Sequence, residues 1–240
     1  MSAPRSAPDT PVQVVPLLEA RGLSVGYGAT PVVRELDLKV MPGEVVALLG
    51  SNGAGKTTTL LGLAGELAPS RGEVLLGGTR LDGSLHSRSR QGLGYVTEER
   101  SVIFSLSVYD NLRLGRGDID MAFELFPELK PLRRRRAGTL SGGEQQILTF
   151  ARALSRRPRV LIADELSLGL APLVVRRLVG AIRDVAATGV GVLLVEQQVQ
   201  TALRASERAY VLKRGQVVLT GASPDLLNQI DDIERSYIAD

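Results

Sequence analysis

From residue 17 to 27 and again from 32 to 40, apolar and polar positions alternate, most plainly in Glu35-Leu36-Asp37-Leu38-Lys39-Val40. A period of two predicts a pair of half-buried antiparallel strands. Met41-Pro42-Gly43-Glu44 then turns the chain into Val45-Val46-Ala47-Leu48-Leu49, an unbroken apolar run of the kind a strand buried on both faces shows. The period lengthens from Thr58 to Leu67, where Leu60, Leu61, Leu63, Ala64 and Leu67 fall at helical spacing. Residues 72–76 and 93–97 read as further strands. Between about 99 and 158 the pattern is helical with basic loops. Ser107 to Asp110 has the spacing of a helix start, and a second helix from Asp118 to Phe126 ends at Pro127. Val160 to Glu165 is another buried strand, followed by a helix over 172–187 and a strand over 191–195.

The turn between the third strand and its helix carries Gly50-Ser51-Asn52-Gly53-Ala54-Gly55-Lys56-Thr57-Thr58, which fits the phosphate-loop pattern G-x-x-x-x-G-K-[ST]. That pattern needs a buried strand before it and a helix after it, because the loop presents helix N-terminal N–H groups to phosphates. Both flanks are present, so the loop predicts binding of a nucleoside triphosphate. Gly53 and Gly55 allow close backbone approach. Lys56 is placed for the β- and γ-phosphates and Thr57 for magnesium.

The expected fold class is therefore α/β: a phosphate-loop NTPase core with a mixed sheet, an antiparallel β subdomain and an inserted helical subdomain at about 99–158. Residues 15–240 read as a single domain. Residues 1–14, rich in Ser, Ala and Pro at their start, read as a disordered leader.

With 29 basic and 26 acidic residues the net charge is +3, too balanced to argue for nucleic acid as a partner. Arg133-Arg134-Arg135-Arg136 is one dense basic run, read as a solvated face in preference to a binding patch. Cysteine is absent, which removes disulfides, thiolate metal sites and cysteine nucleophiles. No apolar run reaches the ~18 residues of a membrane span.

Two further stretches carry chemistry. Leu140-Ser141-Gly142-Gly143-Glu144-Gln145-Gln146 opens an apolar-periodic helix. Ser141 and Glu144 have capping-box spacing, and the glycine pair leaves a terminus able to receive an anion. The strand Val160 to Glu165 delivers two acids at its carboxyl end, where ligands sit in doubly wound sheets. Asp164 can hold Mg²⁺ directly or through water, and Glu165 can orient or deprotonate the attacking water. Tyr27, between Gly26 and Gly28, is either a ring stacked on a base or a surface turn tyrosine.

In this order the phosphate loop, LSGGEQQ, the VLIADE strand and the Tyr27 turn resemble the ATP-binding subunit of ABC transporters, over nearly the whole chain after residue 15. The resemblance implies that Tyr27 stacks on adenine. It also implies that the segment Ser141, Gly142, Gly143 and Glu144 binds ATP held by a second subunit, the three residues Ser141 to Gly143 at its γ-phosphate. Two ATP molecules are then enclosed in a head-to-tail dimer, formed with itself or with a sister ATP-binding subunit. Within the family, Tyr95 to Arg100, Ser167 to Pro172, Leu194 to Gln197 and Tyr210 to Gly221 are similar to branched-chain amino acid importers. Urea and amide importers share much of this. The implied partners are integral membrane permease subunits, docking near Glu98 to Phe104, and indirectly a periplasmic or extracellular substrate-binding protein. The implied location is the cytoplasmic face of the membrane.

Three positions depart from the family pattern. Glu98 stands where most members have the glutamine that touches magnesium; its oxygen can ligate Mg²⁺ while adding negative charge beside Asp164 and Glu165. Leu166 replaces a proline. Gln197 replaces the switch histidine; it can donate a hydrogen bond to a γ-phosphate but cannot titrate near neutral pH, and the sole histidine, His86, lies far upstream. The expected activity is ATP hydrolysis driving an importer, with Glu165, Lys56 and Gln197 as the catalytic set. A regulatory or scaffolding dimer with slow turnover is the alternative from another class.

Overall fold

The structure is a computed structural model and describes residues 14–28 and 30–238. The expected leader, Val14 apart, falls outside those residues. The elements run β1 (Leu18–Tyr27), β2 (Thr30–Val40), β3 (Val45–Leu49), α1 (Lys56–Ala64), β4 (Arg71–Leu76), β5 (Thr79–Arg80), α2 (Leu85–Arg90) and β6 (Leu93–Val96). There follow α3 (Val108–Leu114), α4 (Ile119–Leu125), α5 (Gly142–Leu154), β7 (Val160–Asp164), α6 (Pro172–Ala186), β8 (Gly191–Glu196), α7 (Val199–Ala205), β9 (Arg208–Lys213), β10 (Gln216–Ala222), α8 (Ser223–Leu227) and α9 (Ile230–Ile238).

These strands make two sheets. One is antiparallel in the order β2-β1-β4-β5; the other is β10-β9-β3-β8-β7-β6, parallel throughout except for the edge strand β10. The fold class is the expected one. Side chains alternate across a strand, so Val46 and Leu48 leave one face of β3 and Val45, Ala47 and Leu49 the other, where they divide between two clusters; β3 thus feeds three hydrophobic clusters in all. Val46 and Leu48 face the antiparallel sheet and α1, Val45 joins the cluster of α3 to α6, and Ala47 and Leu49 pack against α7, α8 and α9.

Two sequence expectations shift. In β1 the alternation breaks, with Leu18, Glu19 and Ala20 all buried in the stretch paired with both β2 and β4, and the register against β2 slips further on, between Ala20 and Leu23. Glu19 tolerates burial because Arg21 and Lys39 pair with it at 2.8 and 3.3 Å. The phosphate-loop helix ends at Ala64 rather than Leu67. Gly65 takes a left-handed φ of 83° and turns the chain out, with Glu66 N–H returning to Leu61 O at 2.9 Å.

The same helix end is sealed by a residue the sequence did not single out. Arg88 of α2 is 5% exposed. It donates to the carbonyls of Gly62 at 3.1 Å, Leu63 at 2.7 Å and Gly83 at 3.0 Å, satisfying acceptors that a helix terminus leaves bare. Burial lowers its pKa, yet a guanidinium stays protonated at neutral pH. Arg88→Ala strands those buried acceptors, an expected loss of about 3 kcal/mol and a fall in Tm of about 10 °C. A thermal melt within 2 °C of the parent would refute this role.

The run Arg133 to Arg136 is exposed loop. It lies along the entry to α3, with Val108 N–H on Arg135 O at 2.9 Å and Tyr109 N–H on Arg133 O at 3.0 Å. No helix among the described residues is long and apolar enough to cross a membrane.

Candidate functional site

The carboxyl ends of β3, β7 and β8 lie side by side in the sheet, so the loops leaving them converge. An open cleft of about 450 Å³ sits there. Its floor is the phosphate loop, with Ser51, Asn52, Gly53 and Gly55 leading into Lys56, Thr57 and Thr58. Tyr27 and Val32 form one wall; Glu98, Glu165, Leu168 and Gln197 form the other. Residues from five separate stretches of sequence are thus brought together. Ala54 and Asp164 are buried beside the cleft, at 3% and 5% exposure, and do not line it.

Loop geometry explains the glycines. Gly53 and Gly55 have φ of 80° and 105°, a region costly for any residue with a Cβ. Gly55 is also the N-cap of α1, which has no side-chain cap and no acid in its first turn. Its N–H groups are therefore open to an anion from outside the chain. Lys56 Nζ donates to Gly50 O at 2.9 Å and to Ser51 O at 3.3 Å, and lies 3.6 Å from Glu165 Oε1. That places the ammonium at the centre of the cleft, largely desolvated. Glu165 has a φ of 44°, a left-handed conformation seldom adopted outside glycine and asparagine.

The acids crowd one another. Burial pushes the Asp164 carboxyl up to about 7, helped by the charges of Glu165 and Glu98 and opposed by Lys56. Among the described residues no group of three or more His, Cys, Asp or Glu could hold a metal alone.

Ser141 to Glu144 lie elsewhere, at the start of α5. The capping box is formed: Ser141 N–H donates to Glu144 Oε2 at 2.7 Å, and Glu144 N–H to Ser141 Oγ at 3.3 Å. A Cβ on Gly142 would meet the Arg100 guanidinium at 2.8 Å, and one on Gly143 would meet Val174 at 2.8 Å. The guanidinium is the mobile end of its side chain and can give way, whereas the β-branched Val174 is stiff, so the packing demand falls on Gly143. Between this terminus and the cleft runs a groove lined by Arg100, Phe104, Gln145 and Gln146 that shares Glu98, Glu165 and Leu168 with the cleft wall.

Residues 33–167, more than half of the chain, match the ABC transporter family model. The chain belongs to the ABC transporter family. It is 39% identical over 213 residues to the high-affinity branched-chain amino acid transport ATP-binding protein BraG of Pseudomonas aeruginosa, covering 84% of this chain and 91% of that one. It is 35% identical over 238 residues to the lipopolysaccharide export system ATP-binding protein LptB of Escherichia coli K12, covering 93% and 97%. Among solved structures, an ATP-binding subunit of an ABC transporter matches with a TM-score of 0.81 at 29% identity, covering 93% of this chain and 100% of that one. This ABC subunit binds ATP and is an ATPase.

Sequence reading missed Val32 and Leu168 as cleft residues and Arg88 as the seal on α1. Val32 looked like one more alternating strand position. Only the pairing of β2 with its neighbours brings it to the cleft wall.

Proposed function

We propose that this ATPase energises an importer for branched-chain or related amino acids, docked on the cytoplasmic face of the membrane against permease subunits. The observation that carries the ATPase part is the convergence of Lys56, Glu165, Glu98 and Gln197 on one cleft above the uncapped α1 terminus. The importer part is supported by the identity to BraG. Residues 15–240 act as a single domain, with the helical segment at about 99–158 turned to the membrane partner and to the second ATP-binding subunit.

In this reading the phosphates lie on the N–H groups of residues 53 to 58, and Lys56 leaves Glu165 for the β- and γ-phosphates. Mg²⁺ would be held by Thr57, Glu98 and Asp164, and supplies neutralisation of phosphate charge. Glu165 accepts a proton from the attacking water or orients it, and Gln197 donates to the γ-phosphate. Ser141, Gly142 and Gly143 of a second subunit complete the site. Tyr27, 60% exposed at the wall, stacks on adenine. Tyr27→Ala is accordingly expected to raise KM for ATP about tenfold with little change in kcat, the worth of one base–aromatic stack. An unchanged KM would assign Tyr27 to the surface turn instead.

The experiment that tests the whole is ATP turnover by the subunit reconstituted with its permease in proteoliposomes. Leucine, isoleucine or valine with the binding protein should stimulate turnover several-fold. The identity to LptB supports a second reading, export of a lipopolysaccharide-like amphiphile. Stimulation by that substrate and not by amino acids would establish it.

A further inference from the structure

Glu196 ends β8 one residue before Gln197, and it is 2% exposed. Its two carboxylate oxygens both accept from one residue, Ser167: the backbone N–H at 3.0 Å and the hydroxyl at 2.7 Å. Among the described residues no cation forms an ion pair with it. Burial raises its carboxyl pKa, the Ser167 hydrogen bonds oppose that, and the charge of Glu165 adds to it. Burying a carboxylate without a cation is unfavourable, and an apolar residue of similar volume would be cheaper for stability alone.

What the contact joins gives it meaning. Ser167 lies two residues beyond Glu165, in a turn where Glu165 and Gly169 both take left-handed φ, 44° and 66°. Inside that turn the hydrogen bonds are long, Leu168 N–H to Glu165 O and Leu170 N–H to Ser167 O, each at 3.3 Å. The firm attachments come from β8: Glu165 N–H donates to Val195 O at 2.9 Å, and Ser167 is held by the Glu196 carboxylate. Glu196 is itself fixed by the sheet, paired in register with Leu49 just ahead of the phosphate loop. Neither Glu196 nor Ser167 lines the cleft, whereas their neighbours Glu165, Leu168 and Gln197 do.

We propose that Glu196 is a positioning residue for ATP hydrolysis, its clasp on Ser167 setting the separation of Glu165 from Gln197 and presenting Leu168 and Gly169 at the surface. The inference rests on the roles given above to Glu165 and Gln197. It predicts a loss in kcat without a matching loss in nucleotide binding, since the phosphate loop itself is untouched.

The test is steady-state ATP turnover by the full chain carrying Ser167→Ala, Glu196→Gln or both, with Glu165→Gln in parallel. Ser167→Ala removes only the hydroxyl arm of the clasp and is expected to lower kcat about tenfold while KM for ATP stays within about twofold. Because the two residues act as one unit, the double variant should be no slower than the slower single variant. A Ser167→Ala enzyme with kcat within twofold of the parent overturns the proposal, as does a loss that only tracks the unfolded fraction in a thermal melt. Should Glu196→Gln fail to fold, Ser167→Ala decides alone. If Glu165→Gln retains turnover, the reading of the cleft itself fails. Loss of turnover in Glu165→Gln with none in Ser167→Ala leaves that reading standing and removes only the clasp.

Discussion

Glu165→Gln is expected to reduce ATP hydrolysis about 10²- to 10³-fold, the usual contribution of a positioned general base, while ATP binding persists. The structure adds a direction to the second half. Lys56 sits 3.6 Å from the Glu165 carboxylate and at 5% exposure, so bound phosphates must compete with that carboxylate for the ammonium. A neutral amide removes the competitor, and ATP affinity should rise several-fold. Light scattering with and without ATP gives the companion readout, because blocked turnover traps the closed assembly. A dimer that appears only with ATP shows that this chain supplies both halves of a site. A monomer that binds ATP points to a sister subunit. Hydrolysis above about a tenth of the parent rate would remove Glu165 from the role of base.

A larger structural effect is expected at Gly215, on the other side of the phosphate loop's attachments from the acids' own strand. Arg214 and Gly215 form the tight connection between β9 and β10 with φ of 48° and 78°, the left-handed pair that matches strand twist in short hairpins. Gly215 N–H donates to Ala54 O at 2.8 Å, and Gly215 O accepts from Arg34 N–H at 2.9 Å. The turn therefore staples the phosphate loop to β2. A Cβ at Gly215 would run into the carbonyl oxygen of Val32 and stand 2.8 Å from its carbonyl carbon. Gly215→Ala combines left-handed strain with a clash against backbone, which cannot rotate away. The expected loss exceeds about 4 kcal/mol, with a Tm drop of about 10 °C or more and weakened ATP binding. Arg214→Asn, at the neighbouring left-handed position, should be nearly neutral because asparagine tolerates that region. A Gly215→Ala melt within 3 °C of the parent would refute the staple.

These two residues mark where sequence was readable. The place of Glu165 beside the phosphate loop was legible because strand, acid pair and loop are local patterns set by residue type and order. The capping box at Ser141 and Glu144 was legible for the same reason, and both of its hydrogen bonds form. Gly215 was not. Its requirement arises from the approach of β2 to the hairpin, a pairing between chain segments that no periodicity announces. Arg88 reaches the end of α1 from 25 residues away, and Ser167 meets Glu196 across 29. The end of α1 was overrun because Leu67 continued the helical period after Gly65 had already turned the backbone. Glu98 and Gln197 were flagged as departures from a family pattern, and the structure places both on the cleft wall, which spacing alone could not do.

The central strand β3 sends Val45, Val46 and Leu48, and Ala47 and Leu49, into three different hydrophobic clusters. Loosening of any one layer, as when the helical segment shifts or the C-terminal helices fray, leaves this strand gripped by the other two. Local openings therefore spare the phosphate loop at its end, and only a concerted melting of all three layers releases it. The strand that leads into the phosphate loop is thus expected to be among the last parts of the molecule to lose its shape.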